Sequence, residues 1–162
     1  MVPIVGGPSG SGLDTPESLV SLAAACGVSD IVRFVPPVEH ELLVDYYRAA
    51  TVVCVPSYNE SFGLVAIEAQ ACGTPVVAAN VGGLRTAVID GVTGLLIDGH
   101  DPADYSRGFE RLLAHPLELT RMGAAAANQA KSFGWGRTAE QTFAAYASAT
   151  ALLRANVMAI AT

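Results

Sequence analysis

The sequence predicts an α/β fold, a Rossmann-like and doubly wound parallel sheet with helices on both faces. Two observations predict it. Short apolar segments alternate with helical patterns five times along the chain. These segments are apolar throughout, which is typical of parallel strands that helices cover on both sides. Ligands of such folds bind at the carboxyl ends of the strands, so the loops that follow the strands are the expected place for a site.

The first half of the chain contains three predicted strands and two predicted helices. Thr15 is a favourable N-cap and Pro16 a favourable first helical residue, so a helix is predicted to begin there and to stop at Gly27. Large apolar residues recur at helical spacing before the third strand. In chain order, the prediction is strand Val2–Val5, helix 15–27, strand Ile31–Val35, helix Glu39–Ala50 and strand Thr51–Val55.

Glycine, proline and aspartate divide the second half. Gly73-Thr74-Pro75 ends one helix, Asp90-Gly91 forms a turn, and Asp101-Pro102 begins another helix as a cap and first-turn pair. The predicted elements are helix Leu64–Cys72, strand Val76–Ala79, a short helix from Gly82-Gly83 to Ile89, strand Gly94–Ile97, and helices Ala103–Ala114, Leu117–Ser132 and Arg137–Arg154.

The composition excludes several classes of function. Of the 162 residues, 51% are hydrophobic and 15% are charged, which predicts a packed core instead of extended disorder. The net charge is −6 and Lys131 is the single lysine, which argues against nucleic acid, because its binding needs clustered lysine and arginine. No apolar run approaches 18 residues, so a membrane-spanning helix is not expected.

The cysteines and the N-terminal residues indicate the cellular compartment in which the protein is expected. Cys26, Cys54 and Cys72 lie within apolar patterns and have no metal-binding spacing. They are predicted to be buried free thiols, as in a reducing cytosol. The first seven residues lack a basic stretch followed by a long apolar one, so no signal peptide is expected. We therefore expect a cytoplasmic protein.

The segment from Pro56 to Gln70 carries the most chemistry. Glu60 and Glu68 lie eight positions apart, and Gly63 stands where a helix begins. The free N–H groups of a helix start suit phosphate, whereas carboxylates accept hydrogen bonds from sugar hydroxyls. The pattern predicts a nucleotide sugar. Glu68 would hold the ribose, Glu60 the transferred sugar, and the amides of residues 61–64 the diphosphate.

Less specific interpretations of the same residues stay open. Glu68 could be a surface carboxylate on the wet face of its helix, and Glu60 an acid that favours the helix dipole. Gly82-Gly83 forms either a second amide-rich corner or an ordinary turn. The loop Gly6–Gly12 has neither a dinucleotide fingerprint nor a P-loop ending. The three histidines are predicted to be surface or capping residues, and Ser57 and Ser61 have no nucleophile elbow. The histidines are His40, His100 and His115.

These segments together resemble the retaining GT-B glycosyltransferases of family 4. Glu60-Ser61-Phe62-Gly63-Leu64-Val65-Ala66-Ile67-Glu68 is similar to the E-x7-E signature of that family. Family-like segments then follow in order over nearly the whole chain. They are EAQACGTPVV from Glu68, VGGL from Val81 and DGVTGLL from Asp90.

Within the family, the resemblance is greatest to the branch that serves mycothiol biosynthesis. The supporting segments are YNESFG from Tyr58, QACGT from Gln70 and DGHDP from Asp98. Many other members have a glutamate at the position of Thr86, which this branch lacks. The resemblance implies transfer of N-acetylglucosamine from UDP-GlcNAc to 1D-myo-inositol 3-phosphate, with retention of configuration and substrate-assisted, front-face chemistry.

The resemblance also assigns roles to individual residues. Glu60 would contact the donor sugar as the catalytic residue, and Glu68 would bind the ribose. Val38 stands where the family usually has an arginine beside uracil, so only a main-chain contact is expected there. Ser61, Phe62, Gly63 and Leu64 would add main-chain contacts. No cofactor takes part in the chemistry, but a structural Mg²⁺ is implied at the carbonyls of Tyr47, Arg48 and Ala50 together with Thr74.

The resemblance covers the C-terminal domain of a GT-B enzyme and not its first strand–helix unit. That unit supplies a central strand and an Arg/Lys clamp for the diphosphate, and the N-terminal domain binds the acceptor. A helix start contributes about 1–2 kcal/mol, whereas an enzyme lowers its barrier by at least about 8 kcal/mol. We therefore expect this chain to be inactive alone and to need the missing domain or a partner chain. A homodimer is a further candidate assembly.

Two alternatives to a donor-binding half-enzyme remain. The chain could be a truncated, non-catalytic nucleotide-sugar binding domain. Unlike a donor-binding half-enzyme, such a domain would have no partner chain that supplies the Arg/Lys clamp for the diphosphate. A glycoside hydrolase with Glu60 and Glu68 as its acid pair is a weaker hypothesis. Hydrolases need both carboxyl groups to flank one bond, whereas amides between the acids suit a nucleotide.

Overall fold

The computed structural model describes residues 1–7 and 16–160, which form five strands and seven α-helices. The elements are β1 (Val2–Val5), α1 (Pro16–Ala25), β2 (Val32–Val35), α2 (His40–Ala49), β3 (Val53–Val55), α3 (Leu64–Ala71), β4 (Val76–Ala79), α4 (Leu84–Ala87), β5 (Gly94–Ile97), α5 (Pro102–Leu113), α6 (Pro116–Ala130) and α7 (Trp135–Ile160). A 3₁₀ turn, Lys131–Phe133, follows α6.

The predicted elements are present, and most differences are one or two residues at helix and strand ends. β1, β4 and β5 have the predicted bounds. The fourth helix stops at Ala87 and not at Ile89, because Val88 has extended backbone angles. The predicted N-cap Thr15 and residues 8–12 of the glycine loop lie outside the described residues.

The chain divides into two compact units, Met1–Tyr46 and the part from Tyr47 onward, and the division falls within α2. In the first unit, β1 pairs in parallel with β2, with Val2 opposite Val32 and Val5 opposite Val35. Most of β1 is exposed, so the predicted covering of both faces is not found here. Two strands alone offer too little apolar surface to bury both faces.

The second unit contains a parallel sheet in the order β3-β4-β5. β4 lies in the middle and is buried along its whole length, as its apolar sequence predicts. The α/β class and the parallel pairing are confirmed, but the five strands form two sheets and not one. The core beneath this second sheet joins β4 and β5 to α5 and α6. Its buried members are Val77, Leu95, Tyr105, Leu112 and Met122.

The three cysteines are free thiols, as predicted, but they are not buried. Cys26 and Cys54 are exposed and Cys72 is half-buried. Cys26 follows the last residue of α1, and Cys54 lies on β3, the edge strand of its sheet, where desolvation by neighbouring atoms still raises the pKa of its thiol to about 11. Across the described residues, no helix combines the length and the apolar character needed to cross a bilayer.

Helix α6 packs on the end of α3 at a contact that only glycine permits. A Cβ built on Gly123 would overlap the carbonyl oxygen of Gly73 and would also approach Pro75 at 3.7 Å. Gly123 is buried, and Gly73, just after α3, has a φ of 80°. The missing side chains therefore set the distance between α6 and the turn that leads into β4.

We expect Gly123→Ala to lower the free energy of unfolding by about 1–3 kcal/mol, because backbone must move to admit the methyl group. Urea unfolding followed by circular dichroism measures this change. Gly136→Ala is the matched control, since no atom of the described residues lies within 4 Å of its Cβ position near the start of α7. Equal unfolding midpoints for the two variants would contradict the proposed packing constraint.

Candidate functional site

The two predicted acids lie on one loop–helix segment at the carboxyl end of β3. The strand ends at Val55, a loop leads to Gly63, and α3 begins at Leu64. Gly63 has a φ of 85°, in the left-handed region that favours glycine. Its Cβ position would also be only 3.1 Å from the side chain of Leu84. Conformation and space thus both require glycine at the helix start.

Glu60 turns its carboxylate toward the start of α3. Its Oε1 accepts from the amide of Gly63 at 3.2 Å and, more distantly, from the amide of Phe62 at 3.4 Å. Glu60 therefore occupies two of the amides that the sequence assigns to the ligand. This contact corresponds to the alternative in which Glu60 is an acid that interacts favourably with the dipole of α3. No described residue donates to Glu60 Oε2, so one carboxylate oxygen is free to accept from a ligand.

Glu68 is half-buried and is held by a tyrosine that sequence analysis assigned only to a metal site. The hydroxyl of Tyr47, in α2, donates to Glu68 Oε2 at 2.9 Å. Burial, reinforced by this hydrogen bond to the carboxylate, raises the pKa of Tyr47 well above its ordinary value. Tyr47 therefore stays a donor at neutral pH. This contact explains how an otherwise apolar helix accommodates a carboxylate.

The Gly82-Gly83 corner supports the loop of Glu60. The amide of Gly83 donates to the Glu60 carbonyl at 2.8 Å. A Cβ on Gly82 would overlap that carbonyl, and one on Gly83 would overlap the backbone of Ser61 and Phe62. The corner is therefore more than an ordinary turn. The amide of Gly83 is already hydrogen-bonded, so it is not free to bind phosphate. It packs the loop after β4 directly against the loop that carries the acid.

A stacked aromatic pair joins the loop of Glu60 to the loop that follows β5. The rings of Tyr58 and His100 have centroids 4.0 Å apart and planes 8° from parallel. His100 Nε2 also lies 3.1 Å from the carbonyl oxygen of Ser57. From the sequence alone, His100 is predicted to be a surface or capping residue. Its position just after β5, at the carboxyl end of the sheet, is the signal that could have linked it to this loop.

The remaining histidines have local contacts. His40 is exposed at the first residue of α2. His115 precedes α6, and its Nδ1 lies 2.7 Å from the carbonyl oxygen of Arg111 near the end of α5. Both positions agree with a surface or capping role. The described residues contain no group of three or more histidine, cysteine, aspartate or glutamate side chains that could hold a metal ion.

The other predicted site residues separate into two sets. Val38 belongs to the first unit, where it is half-buried between β2 and α2. The four residues of the implied metal site belong to the second unit. Thr74 Oγ1 donates to the carbonyl oxygen of Tyr47 at 2.6 Å. Three of the four predicted ligands line one groove of about 540 Å³, between the end of α2, the α3–β4 turn and α6; they are Arg48, Ala50 and Thr74.

Comparison with known proteins agrees with this architecture. Residues 2–129 match the family described as glycosyl transferases group 1. A D-inositol 3-phosphate glycosyltransferase of Streptomyces bingchenggensis is 60% identical over 149 residues, which are 92% of this chain and 33% of that protein. The chain thus spans about a third of the length of the curated relatives it matches.

Solved structures match the same fold. Sucrose-phosphate synthase from Thermosynechococcus elongatus aligns with a TM-score of 0.80 and 39% identity over 93% of this chain and 38% of that one. Anabaena HepE in complex with UDP-glucose aligns with a TM-score of 0.79 and 24% identity over 91% and 40% of the two chains; at that identity the likeness concerns the fold alone. By its sequence match over residues 2–129, the chain belongs to the group 1 glycosyl transferase family.

Proposed function

We propose that this chain is the donor-binding portion of a retaining glycosyltransferase and that its ligand is a UDP-sugar. One observation carries the proposal. Glu60 lies just before α3 and Glu68 within it, on a segment that follows the carboxyl end of β3, and each has one carboxylate oxygen to which no described residue donates. Carboxylate oxygens in such positions suit sugar and ribose hydroxyls. The family membership and the relatives named D-inositol 3-phosphate glycosyltransferase support a sugar donor as the ligand.

The finer assignment follows the relatives. We propose UDP-N-acetylglucosamine as donor and 1D-myo-inositol 3-phosphate as acceptor, on the strength of relatives named D-inositol 3-phosphate glycosyltransferase that are 55–60% identical. Glu60 would accept from hydroxyls of the transferred sugar and Glu68 from those of the ribose. Main-chain groups of Ser61 to Leu64 would hold the diphosphate, and the main chain of Val38 would contact uracil.

Diphosphate binding at the helix start requires a rearrangement of Glu60. Its carboxylate accepts from the Phe62 and Gly63 amides over 3.4 and 3.2 Å. Hydrogen bonds of this length are weak, so a phosphate can compete for the same amides. The carboxylate that leaves them is then free to turn to the sugar. Donor binding and the placement of Glu60 would therefore be a single event.

Sugar transfer itself needs positive charge that these residues do not supply. The departing UDP is stabilised by cations or helix dipoles, and the chain has one lysine and eight arginines, none of which donates to Glu60 or Glu68 among the described residues. Arg85, beside the Gly82-Gly83 corner, donates through Nε and Nη2 to the carbonyl of Asn80 at 3.1 and 2.8 Å. We propose that the chain binds donor without transferring sugar by itself. The same observation favours the alternative, a non-catalytic nucleotide-sugar binding domain.

An isothermal titration tests the donor site. We expect the 162-residue chain to bind UDP weakly and Glu68→Ala to reduce the affinity by roughly ten- to a hundredfold, because a hydrogen bond to a charged group contributes about 1.5–3 kcal/mol. Glu140→Ala is the matched control, since Glu140 is exposed and its carboxylate contacts Arg137 in the same helix. The proposal fails if wild type shows no binding at millimolar UDP.

A second prediction concerns the glycine corner. Gly83→Ala should weaken UDP binding about tenfold, or about 1.4 kcal/mol, because the new methyl group displaces the backbone at Ser61 and Phe62. The measurement is the same titration, after thermal unfolding confirms a folded variant. Gly136→Ala again serves as the control. Unchanged UDP affinity in folded Gly83→Ala would show that the corner does not position the ligand loop.

One contact supports the implied magnesium site, although the hydrogen bond between Thr74 and Tyr47 would have to give way to the cation. Two ligands of an octahedral Mg²⁺ lie about 3 Å apart, given metal–oxygen distances near 2.1 Å, and Thr74 Oγ1 already lies 2.6 Å from the Tyr47 carbonyl oxygen. Both belong to the second unit, near the negative end of α2. We propose that the carbonyls of Tyr47, Arg48 and Ala50, with Thr74, would hold a structural cation. When bound, it would tie α2 to the α3–β4 turn.

Thermal unfolding with and without Mg²⁺ tests this site. Saturation at tenfold the dissociation constant should stabilise the native state by about 1.4 kcal/mol. The response should disappear in Thr74→Val, which removes the hydroxyl oxygen at nearly constant volume. Sodium chloride at matched ionic strength separates specific binding from screening. An identical Mg²⁺ response in wild type and Thr74→Val would contradict the site.

A further inference from the structure

Tyr47 is buried, with 7% of its surface exposed, yet its side chain reaches from α2 to α3. Its hydroxyl donates to Glu68 Oε2 at 2.9 Å, between residues 21 positions apart. The backbone of Tyr47 is tied down as well, since its carbonyl oxygen accepts from the hydroxyl of buried Thr74 at 2.6 Å. The tyrosine is thus fixed at both its backbone and its hydroxyl group.

Glu68 gains its orientation from this contact. A glutamate side chain has three rotatable bonds, and the other residues of α3 offer it little to bind. They are Leu64, Val65, Ala66, Ile67, Ala69, Gln70 and Ala71. The amide group of Gln70 donates to the carbonyl oxygens of Ala66 and Ala87, away from the carboxylate. Within the described residues, Tyr47 is the one side chain that donates a hydrogen bond to Glu68.

The hydrogen bond divides the two carboxylate oxygens of Glu68 between two tasks. Oε2 accepts from Tyr47, whereas Oε1 has no donor among the described residues. Fixing one oxygen removes rotational freedom before a ligand arrives, which lowers the entropy cost of binding. A carboxylate held in this way can accept from the neighbouring hydroxyls of a ribose without first being ordered.

We propose that Tyr47 is a positioning residue for nucleotide binding, whose hydroxyl orients the Glu68 carboxylate toward the hydroxyls of the nucleotide ribose. This inference rests on the proposed UDP-sugar site and adds a residue on another helix to it. The inference also predicts a difference between ligands with and without ribose hydroxyls. Tyr47 should matter only for ligands that carry ribose hydroxyls, whereas a purely structural tyrosine would affect all nucleotides equally.

The test compares two ligands, UDP and 2′,3′-dideoxy-UDP, by isothermal titration of the 162-residue chain. Wild type should prefer UDP. Tyr47→Phe keeps the buried ring and removes only the hydroxyl, so it should weaken UDP binding by about three- to tenfold, the effect of one modest hydrogen bond. Its affinity for dideoxy-UDP should change less than about twofold. In the Glu68→Ala background, Tyr47→Phe should have no further effect.

Tyr46→Phe is the matched control, because it removes the neighbouring hydroxyl, which makes no hydrogen bond to any described residue. Tyr47→4-aminophenylalanine is a second variant that retains a donor at the ring end. It should preserve the preference for UDP, and it keeps the proposal testable if Tyr47→Phe does not fold. Loss of that preference in the folded amino variant would overturn the proposal.

The outcomes separate this inference from the proposed function. If wild type binds UDP and Glu68→Ala weakens it, but Tyr47→Phe binds like wild type, the positioning role is wrong and the donor site stands. Equal losses for UDP and dideoxy-UDP in Tyr47→Phe would identify a structural role and also overturn the inference. If wild type does not bind UDP at all, both proposals fall.

Discussion

The candidate site depends on close backbone contact between the loops that follow β3 and β4. Gly82 and Gly83 lie so near the Glu60–Phe62 backbone that neither has room for a side chain. The amide of Gly83 donates to the Glu60 carbonyl across this contact. Glu60 therefore sits on a backbone support and not on a free loop, and the start of α3 is fixed in turn. Preorganisation of this kind is what a binding site needs to recognise a polar ligand at low entropic cost.

The two acids are stabilised by different means, which suits them to different tasks. Glu60 bonds to amides of its own loop through weak contacts that a ligand can replace. Glu68 bonds to a buried tyrosine on another helix, through one oxygen only. The first arrangement permits movement, whereas the second holds a group in place. This asymmetry agrees with the proposed roles, in which Glu60 moves to bind the transferred sugar and Glu68 binds the ribose from a fixed position.

Sequence patterns were sufficient for the order of elements and for the position of the acids. β4 could be predicted to the residue because Pro75 precedes it and all four of its residues are small or apolar. Although the resemblance implies a further central strand in the parent domain, the division into two sheets does not follow from local patterns, since strand pairing depends on contacts between residues far apart in the chain. The roles of Gly83 and Tyr47 were hidden for the same reason. Each acts on a residue more than 20 positions away, and only the fold brings the partners together.

The glycine contact between α6 and the α3–β4 turn has a mechanical consequence. Gly123 touches the Gly73 carbonyl without an intervening side chain, and α3 bears Glu68 five residues before that carbonyl. Side chains can absorb small displacements by changing rotamer, but two backbones in direct contact cannot. A displacement of α6 would therefore move the end of α3 as well. Through this contact, a change at α6 would reach the helix that bears the carboxylate proposed to hold the ribose.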